Sequence, residues 1–127
     1  MSIILDTSVW IEYFKGNEEY FDICQQLLEK SEISTIEIIF AELLQGALNK
    51  REVEIIKAYY ELIPKIEIAD LFITAGEFSK EEKLISKGIG LIDSCIITAT
   101  IKSNSKLWTL DKKIKAYLNN DYLFNEN

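Results

Sequence analysis

The chain has 127 residues, 48% hydrophobic and 28% charged, which suits one folded core and excludes two full-sized domains or a disordered chain. A net charge of −7, with 21 acidic against 14 basic residues, excludes a general polyanion binder, whose affinity would come from basic surface. Five of the 14 basic residues, Lys102, Lys106, Lys112, Lys113 and Lys115, crowd one stretch, so a local basic rim on an acidic body stays open.

The opening residues Met1-Ser2-Ile3-Ile4-Leu5-Asp6 lack a basic leader, and their apolar run stops after three residues, so no secretory signal is expected. Nor does any segment reach the length of uncharged apolar sequence that a membrane span needs. The expected compartment is the cytoplasm, where Cys24 and Cys95 would stay buried thiols. With one proline, Pro64, and no repeat or linker, residues 1–127 are expected to form one domain.

The first strand, Ile3-Ile4-Leu5, ends abruptly in Asp6. In α/β folds the ligand crevice lies beyond the carboxyl ends of the parallel strands, which would put Asp6 at the working edge. The alternative is that Asp6, Thr7 or Ser8 simply caps the helix that follows. That helix carries Val9, Trp10, Tyr13 and Phe14 at helical spacing and stops at Gly16. Asn17 caps a second helix with Tyr20, Phe21, Cys24, Leu27 and Leu28 on its apolar face, giving an αα-hairpin. Residues 32–35 read as a second strand, and Ser34-Thr35-Ile36-Glu37 has the capping-box pattern of a helix start. The helix predicted over residues 36–48 is apolar nearly all round, so Glu42 within it has no solvated face. A carboxylate so placed needs a cation, either a bound metal or a distant lysine in a structural ion pair.

Residues 51–63 form an amphipathic helix that ends before Pro64, and Lys65-Ile66-Glu67-Ile68 alternates as a third strand should. A long helix is predicted over residues 70–87, capped by Asp70, burying Leu71, Phe72, Ala75, Phe78 and Ile85 and ended by Gly88. The next helix carries Ile96, Ile97, Thr100 and Ile101, with Asp93 on the same inward face. Leu107-Trp108-Thr109-Leu110 is a fourth strand, and it too ends in an acid, Asp111. A short basic helix over residues 112–118 and a last edge strand, Tyr122-Leu123-Phe124, complete the chain. Strands alternating with helices give an α/β sandwich around a mainly parallel sheet of four or five strands. Both acid-ended strands then present carboxylates at one edge.

Most of the acidic residues are flanked by other charges, whereas Asp6, Glu42, Asp93 and Asp111 are set in apolar sequence. Two carboxylates about 4 Å apart repel by roughly 4 kcal/mol at an effective dielectric of about 20, so a cluster of them calls for cations. With no histidine and no paired cysteines, oxygen-only donors favour Mg²⁺ or Mn²⁺ over zinc. Such pockets act on phosphates, the metal activating a water, with Ser8 and Thr109 placed to position it. Two other readings compete. An aspartate-based phosphoryl-transfer domain, a receiver or a dehalogenase-like phosphatase, also has an acid after its first strand. Ser8 however stands where the phosphatase needs a second Asp, and the receiver's acidic pair is missing. A catalytically inactive protein-binding module would use the four acids as caps and ion pairs.

The segments Ile3-Ile4-Leu5-Asp6-Thr7-Ser8-Val9, Ala41-Glu42-Leu43-Leu44-Gln45-Gly46-Ala47, Ile92-Asp93-Ser94-Cys95-Ile96-Ile97-Thr98-Ala99 and Trp108-Thr109-Leu110-Asp111 resemble, in order and spacing, PIN-domain ribonucleases of the VapC toxin type. The resemblance implies a three-layer α/β/α, PIN-like domain with Asp6, Glu42, Asp93 and Asp111 as catalytic acids and Asp6, Asp93 and Asp111 as metal ligands. It also implies Mg²⁺-dependent endonucleolytic cleavage of RNA, a homodimer, and a small antitoxin whose tail fills the active-site groove. Two positions depart from the family pattern. Lys113 stands where a further Asp often follows the fourth acid, and Ile92 where a proline often precedes the third. Lys113, with Lys112, is then a candidate contact to RNA phosphates.

Overall fold

In the computed structural model, which describes residues 2–125, the apolar run Ile3–Leu5 is the central strand, β1. All three of its residues are buried, as expected of a parallel strand covered on both faces. Strand β2 (Ile33–Ser34) pairs with it on one side and β3 (Lys106–Trp108) on the other, both parallel, in the order β2-β1-β3. Ile4 lies opposite Ser34 and Leu107, and Leu5 opposite Trp108, so β1 and β3 end side by side.

Among the described residues the sheet has three strands, not four or five. Lys65-Ile66-Glu67-Ile68 contributes a single parallel bridge, Thr35 with Lys65, and the last predicted strand another, Leu107 with Leu123. Asn120–Tyr122 winds instead as a 3₁₀ turn. At the first edge β2 is only two residues long, so the incoming segment finds one free pair. Thr35 donates its N–H to the Pro64 carbonyl and accepts from Ile66, after which the chain leaves for the next helix.

Helix α1 (Thr7–Phe14) and helix α2 (Glu18–Glu29) form the expected hairpin, with Asn17 accepting from the Glu19 N–H as the cap of α2. Gly16 makes the turn at φ +74°, and a side chain there would meet nothing within 4 Å. Gly16→Ala should therefore cost only the left-handed backbone penalty, about 1 kcal/mol, or roughly 4 °C in a thermal melt.

Helix α3 (Glu37–Gln45) lacks the predicted capping box: Ser34 is taken up by β2, Ile36 occupies the cap position, and no side chain caps the helix. Ile39, Phe40 and Leu43 enter the core, but Ala41 is exposed, so the helix is less enclosed than its composition suggests. Helix α4 (Lys50–Leu62) follows, capped by Asn49.

The long helix expected over residues 70–87 is broken. Helix α5 (Leu71–Glu81) stops before Lys83, which is left-handed at φ +56°, and Ile85–Lys87 forms a separate 3₁₀ turn ended by Gly88 at φ +79°. The kink re-aims the chain, so that Leu84 is buried and Ile85 is 82% exposed, while Phe72 is 60% exposed. Asp70 precedes α5 in a left-handed conformation and makes no capping bond. Helix α6 (Leu91–Lys102) packs against α5 and β3, burying every residue from Ser94 to Thr100, and α7 (Lys112–Tyr117) follows β3.

Helices α1 to α4 form one contact group and α5 with α6 another, the helical layers of an α/β/α sandwich. Trp10, Phe40, Ile4, Leu5, Ile97 and Trp108 belong to the shared core, with Trp10 edge-on to Phe40 at 5.2 Å. Both cysteines are buried. No helix among the described residues is long and apolar enough to cross a membrane.

Candidate active site

Asp6 is the first residue beyond the central strand, tied to the end of β3 by its N–H bond to the Trp108 carbonyl at 3.0 Å. Its carboxylate is 4% exposed and carries three hydrogen bonds. Oδ1 accepts from the Ser8 N–H at 2.6 Å and from the Ser8 hydroxyl, and Oδ2 accepts from the Thr109 hydroxyl. Asp6 therefore caps α1 and does so from a position at the carboxyl edge of the sheet.

The two hydroxyls do more than satisfy Asp6. Ser8 Oγ accepts from the Leu110 N–H at 3.2 Å, and Thr109 Oγ1 accepts from the Asp111 N–H at 3.0 Å. They stitch the end of β1 to the end of β3 and set Asp6 relative to Asp111. Asp111 in turn caps α7, its Oδ1 accepting from the N–H groups of Lys113 at 2.8 Å and Ile114 at 3.1 Å. Thr109→Val should loosen this arrangement and lower activity or metal affinity about 10- to 100-fold, the usual cost of losing a residue that orients a ligand, as read by isothermal titration with Mn²⁺.

Glu42 reaches the same edge from α3. Its Oε1 accepts from the Thr7 hydroxyl at 2.7 Å. The side chain is half-buried, which corrects the expectation that it has no solvated face. Among the described residues the single ion pair is Lys15 with Glu12 at 3.5 Å, so Glu42 is not held by a lysine. The sequence offers Thr7 only as a candidate helix cap, since nothing in it links position 7 to position 42.

Asp93 lies in the first turn of α6, half-buried, with Gly90 at the cap position. Burial raises its pKa from 3.8 to about 6, helped by repulsion from Asp111, Asp6 and Glu42 and opposed by attraction to Lys113. Three acids from three other segments thus act on Asp93. Lys112 and Lys113 are exposed beside them and line a neighbouring cleft with Lys87, Ala116 and Tyr117.

Among the described residues no three metal-binding side chains close into a cage as they stand. The donors are nonetheless those of a hard dication, carboxylate and hydroxyl oxygens alone, since the chain has no histidine and burial pushes the Cys95 thiol up. The repulsion felt by Asp93 is of the kind a bound dication relieves. On donor chemistry, Mg²⁺ or Mn²⁺ fits.

The PIN domain family profile matches residues 3–118. Ribonuclease VapC32 of Mycobacterium tuberculosis is 26% identical over 117 residues, covering 90% of this chain and 88% of that protein. Among solved structures, that of VapBC2 from Rickettsia felis bound to a DNA fragment from their promoter aligns over 100% of both chains, with a TM-score of 0.75 and 24% identity. VapBC-1 from nontypeable Haemophilus influenzae aligns over 91% of this chain and 94% of its own, with a TM-score of 0.68 and 21% identity. The acid-ended parallel strands and the helices around them are those of a known fold, and the chain belongs to the PIN domain family.

Proposed function

We propose that residues 1–127 form a single PIN nuclease domain, a divalent-metal-dependent endoribonuclease that hydrolyses RNA phosphodiester bonds as the toxin of a toxin-antitoxin pair. One observation carries this reading: hydrogen bonds set Asp6 and Asp111 at the joined ends of β1 and β3, Glu42 is bonded to Thr7 beside them, and Asp93 is pushed up by its burial and by repulsion from Asp111, Asp6 and Glu42. In this reading Asp6, Asp93 and Asp111 hold the ion. When bound, Mg²⁺ or Mn²⁺ would lower the pKa of a water and neutralise charge on the phosphoryl oxygens. Glu42 completes the catalytic acids, with Oε1 committed to Thr7 and Oε2 left to accept a proton from the attacking water. Ser8 and Thr109 hold Asp6 still, and Lys112 and Lys113 meet RNA phosphates. PIN family membership displaces the receiver and phosphatase alternatives.

For the partner, an apolar groove of about 420 Å³ lined by Ile11, Phe14, Leu43, Ala47, Leu48 and Ile55 runs up to Glu42. An antitoxin segment seated there would cover one of the four acids, and the likeness to the VapBC2 and VapBC-1 structures supports an antitoxin as the partner. Phe72 and Ile73, exposed at the start of α5, offer apolar surface to a second copy in a homodimer. As an RNA-directed toxin the protein would act in the cytoplasm.

The test is cleavage of RNA by the purified chain in Mg²⁺ or Mn²⁺. Cleavage should vanish in EDTA and return when the metal is restored. Intact RNA with metal binding verified would count decisively against the enzyme.

A further inference from the structure

Next to the acids lies a feature of the opposite charge. An open cleft of about 530 Å³ is lined by Lys87, Lys112, Lys113, Ala116 and Tyr117, without a single carboxylate in its lining. Among the described residues none of its three ammonium groups forms an ion pair. The Glu82 carboxylate borders the cleft, accepting from the Tyr117 hydroxyl at 2.8 Å, but three ammonium groups against that one carboxylate, in a protein with net charge −7, still make a local attractor for an anion.

Lys113 joins the cleft to the acids. Its chain end rests on Gly88, where an added Cβ would come within 3.0 Å of Lys113 Cδ and 3.2 Å of both Cε and Nζ. Gly88 is left-handed at φ +79°, so the same residue that ends the 3₁₀ turn also leaves the bare backbone on which the lysine lies. From there Lys113 is the cation whose attraction reaches Asp93. On another wall Lys87 is held in place by two contacts: its Nζ donates to the Glu82 carbonyl at 2.6 Å and stands 5.4 Å above the Tyr117 ring.

A nucleic-acid strand presents a phosphate at every step, so a site that takes one phosphate on a cation held by acids needs direct cationic groups for the next. We propose that the cleft of Lys87, Lys112 and Lys113 is a subsite for the RNA phosphate adjoining the scissile one, with Lys113 spanning subsite and acids. The inference rests on the nuclease reading and adds to it where the substrate strand is gripped.

Steady-state cleavage of a single-stranded RNA oligonucleotide in Mg²⁺, followed across a NaCl series, tests it on the full chain. Lys87→Gln should raise KM roughly three- to tenfold with kcat within about twofold, and should flatten the slope of log KM against log salt by about 0.7, one single-strand phosphate contact. Lys113→Gln should do the same to KM and slope, and Lys113→Arg should restore both. Lys57→Gln, on exposed α4 surface and outside the linings of both this cleft and the apolar groove, should change neither. If the wild type cleaves RNA and Lys87→Gln matches it in KM and slope, the subsite is overturned. It is overturned equally if Lys113→Gln lowers kcat alone. A wild type that neither cleaves nor binds the oligonucleotide removes the nuclease reading and this subsite with it.

Discussion

Asp93→Asn is expected to abolish RNA cleavage and, at the same time, to make the metal-free protein more stable at neutral pH. The carboxyl group has a pKa of about 6 in the folded chain against 3.8 ordinarily, because it is half-buried and faces Asp111, Asp6 and Glu42. The folded state therefore binds its proton more tightly than the unfolded state does. That contribution to stability is complete below about pH 3.8 and is lost as the pH rises through about 6. At pH 7.5 the ionised group is a liability, which asparagine removes.

One pKa unit is worth about 1.4 kcal/mol, and with solvent screening of a half-exposed carboxylate the gain is discounted to about 1–2 kcal/mol, roughly 5 °C in the melting temperature. Thermal melts in EDTA at pH 7.5 and pH 4 check this, since the advantage of the variant should shrink at the lower pH. Adding Mg²⁺ should raise the melting temperature of the wild type and leave that of the variant nearly unmoved. A metal-free variant less stable than the wild type at pH 7.5 would mean that Asp93 has a structural role in place of a ligand's.

Asp6→Asn should be comparably damaging to activity, about 10³-fold or more in kcat, roughly 4 kcal/mol of transition-state stabilisation. The substitution keeps the cap, because the asparagine oxygen can still accept from the Ser8 N–H. What it loses is the charge and the second acceptor. Oδ2 receives the Thr109 hydroxyl, which in turn accepts from the Asp111 N–H, so an amide at that position also disturbs a second acid. The fold should survive with an unchanged circular dichroism spectrum, whereas Asp6→Ala should cost a further ~1 kcal/mol through the missing cap. Single-turnover cleavage within tenfold of wild type would remove Asp6 from the catalytic set.

The parts of the fold readable in the sequence are those governed by neighbours in the chain. Ile3-Ile4-Leu5 is an apolar run because β1 is covered on both faces, and the change to Asp6 marks the point where it leaves that cover. Gly16 and Asn17 end one helix and begin the next through local backbone geometry and a local hydrogen bond, as does Gly88 at its turn. The readings that failed depend on what arrives from elsewhere. Lys65-Ile66-Glu67-Ile68 alternates like a strand but meets a two-residue edge, and Ser34 is drawn into β2 before it can cap α3. Lys83 breaks the predicted long helix although no glycine or proline announces the break.

The sequence by itself determined the family, the carboxyl-edge position of Asp6 and Asp111, and four acids set in apolar surroundings, because burial and capping leave marks at fixed spacing along a chain. Only the tertiary structure decided that Thr7 holds Glu42, that Asp93 feels the other three acids, and that Lys87 shares a cleft with Lys113 across 26 positions. Those relations are set by through-space distance and by how far water is excluded from between the groups, and neither quantity has a period in the sequence.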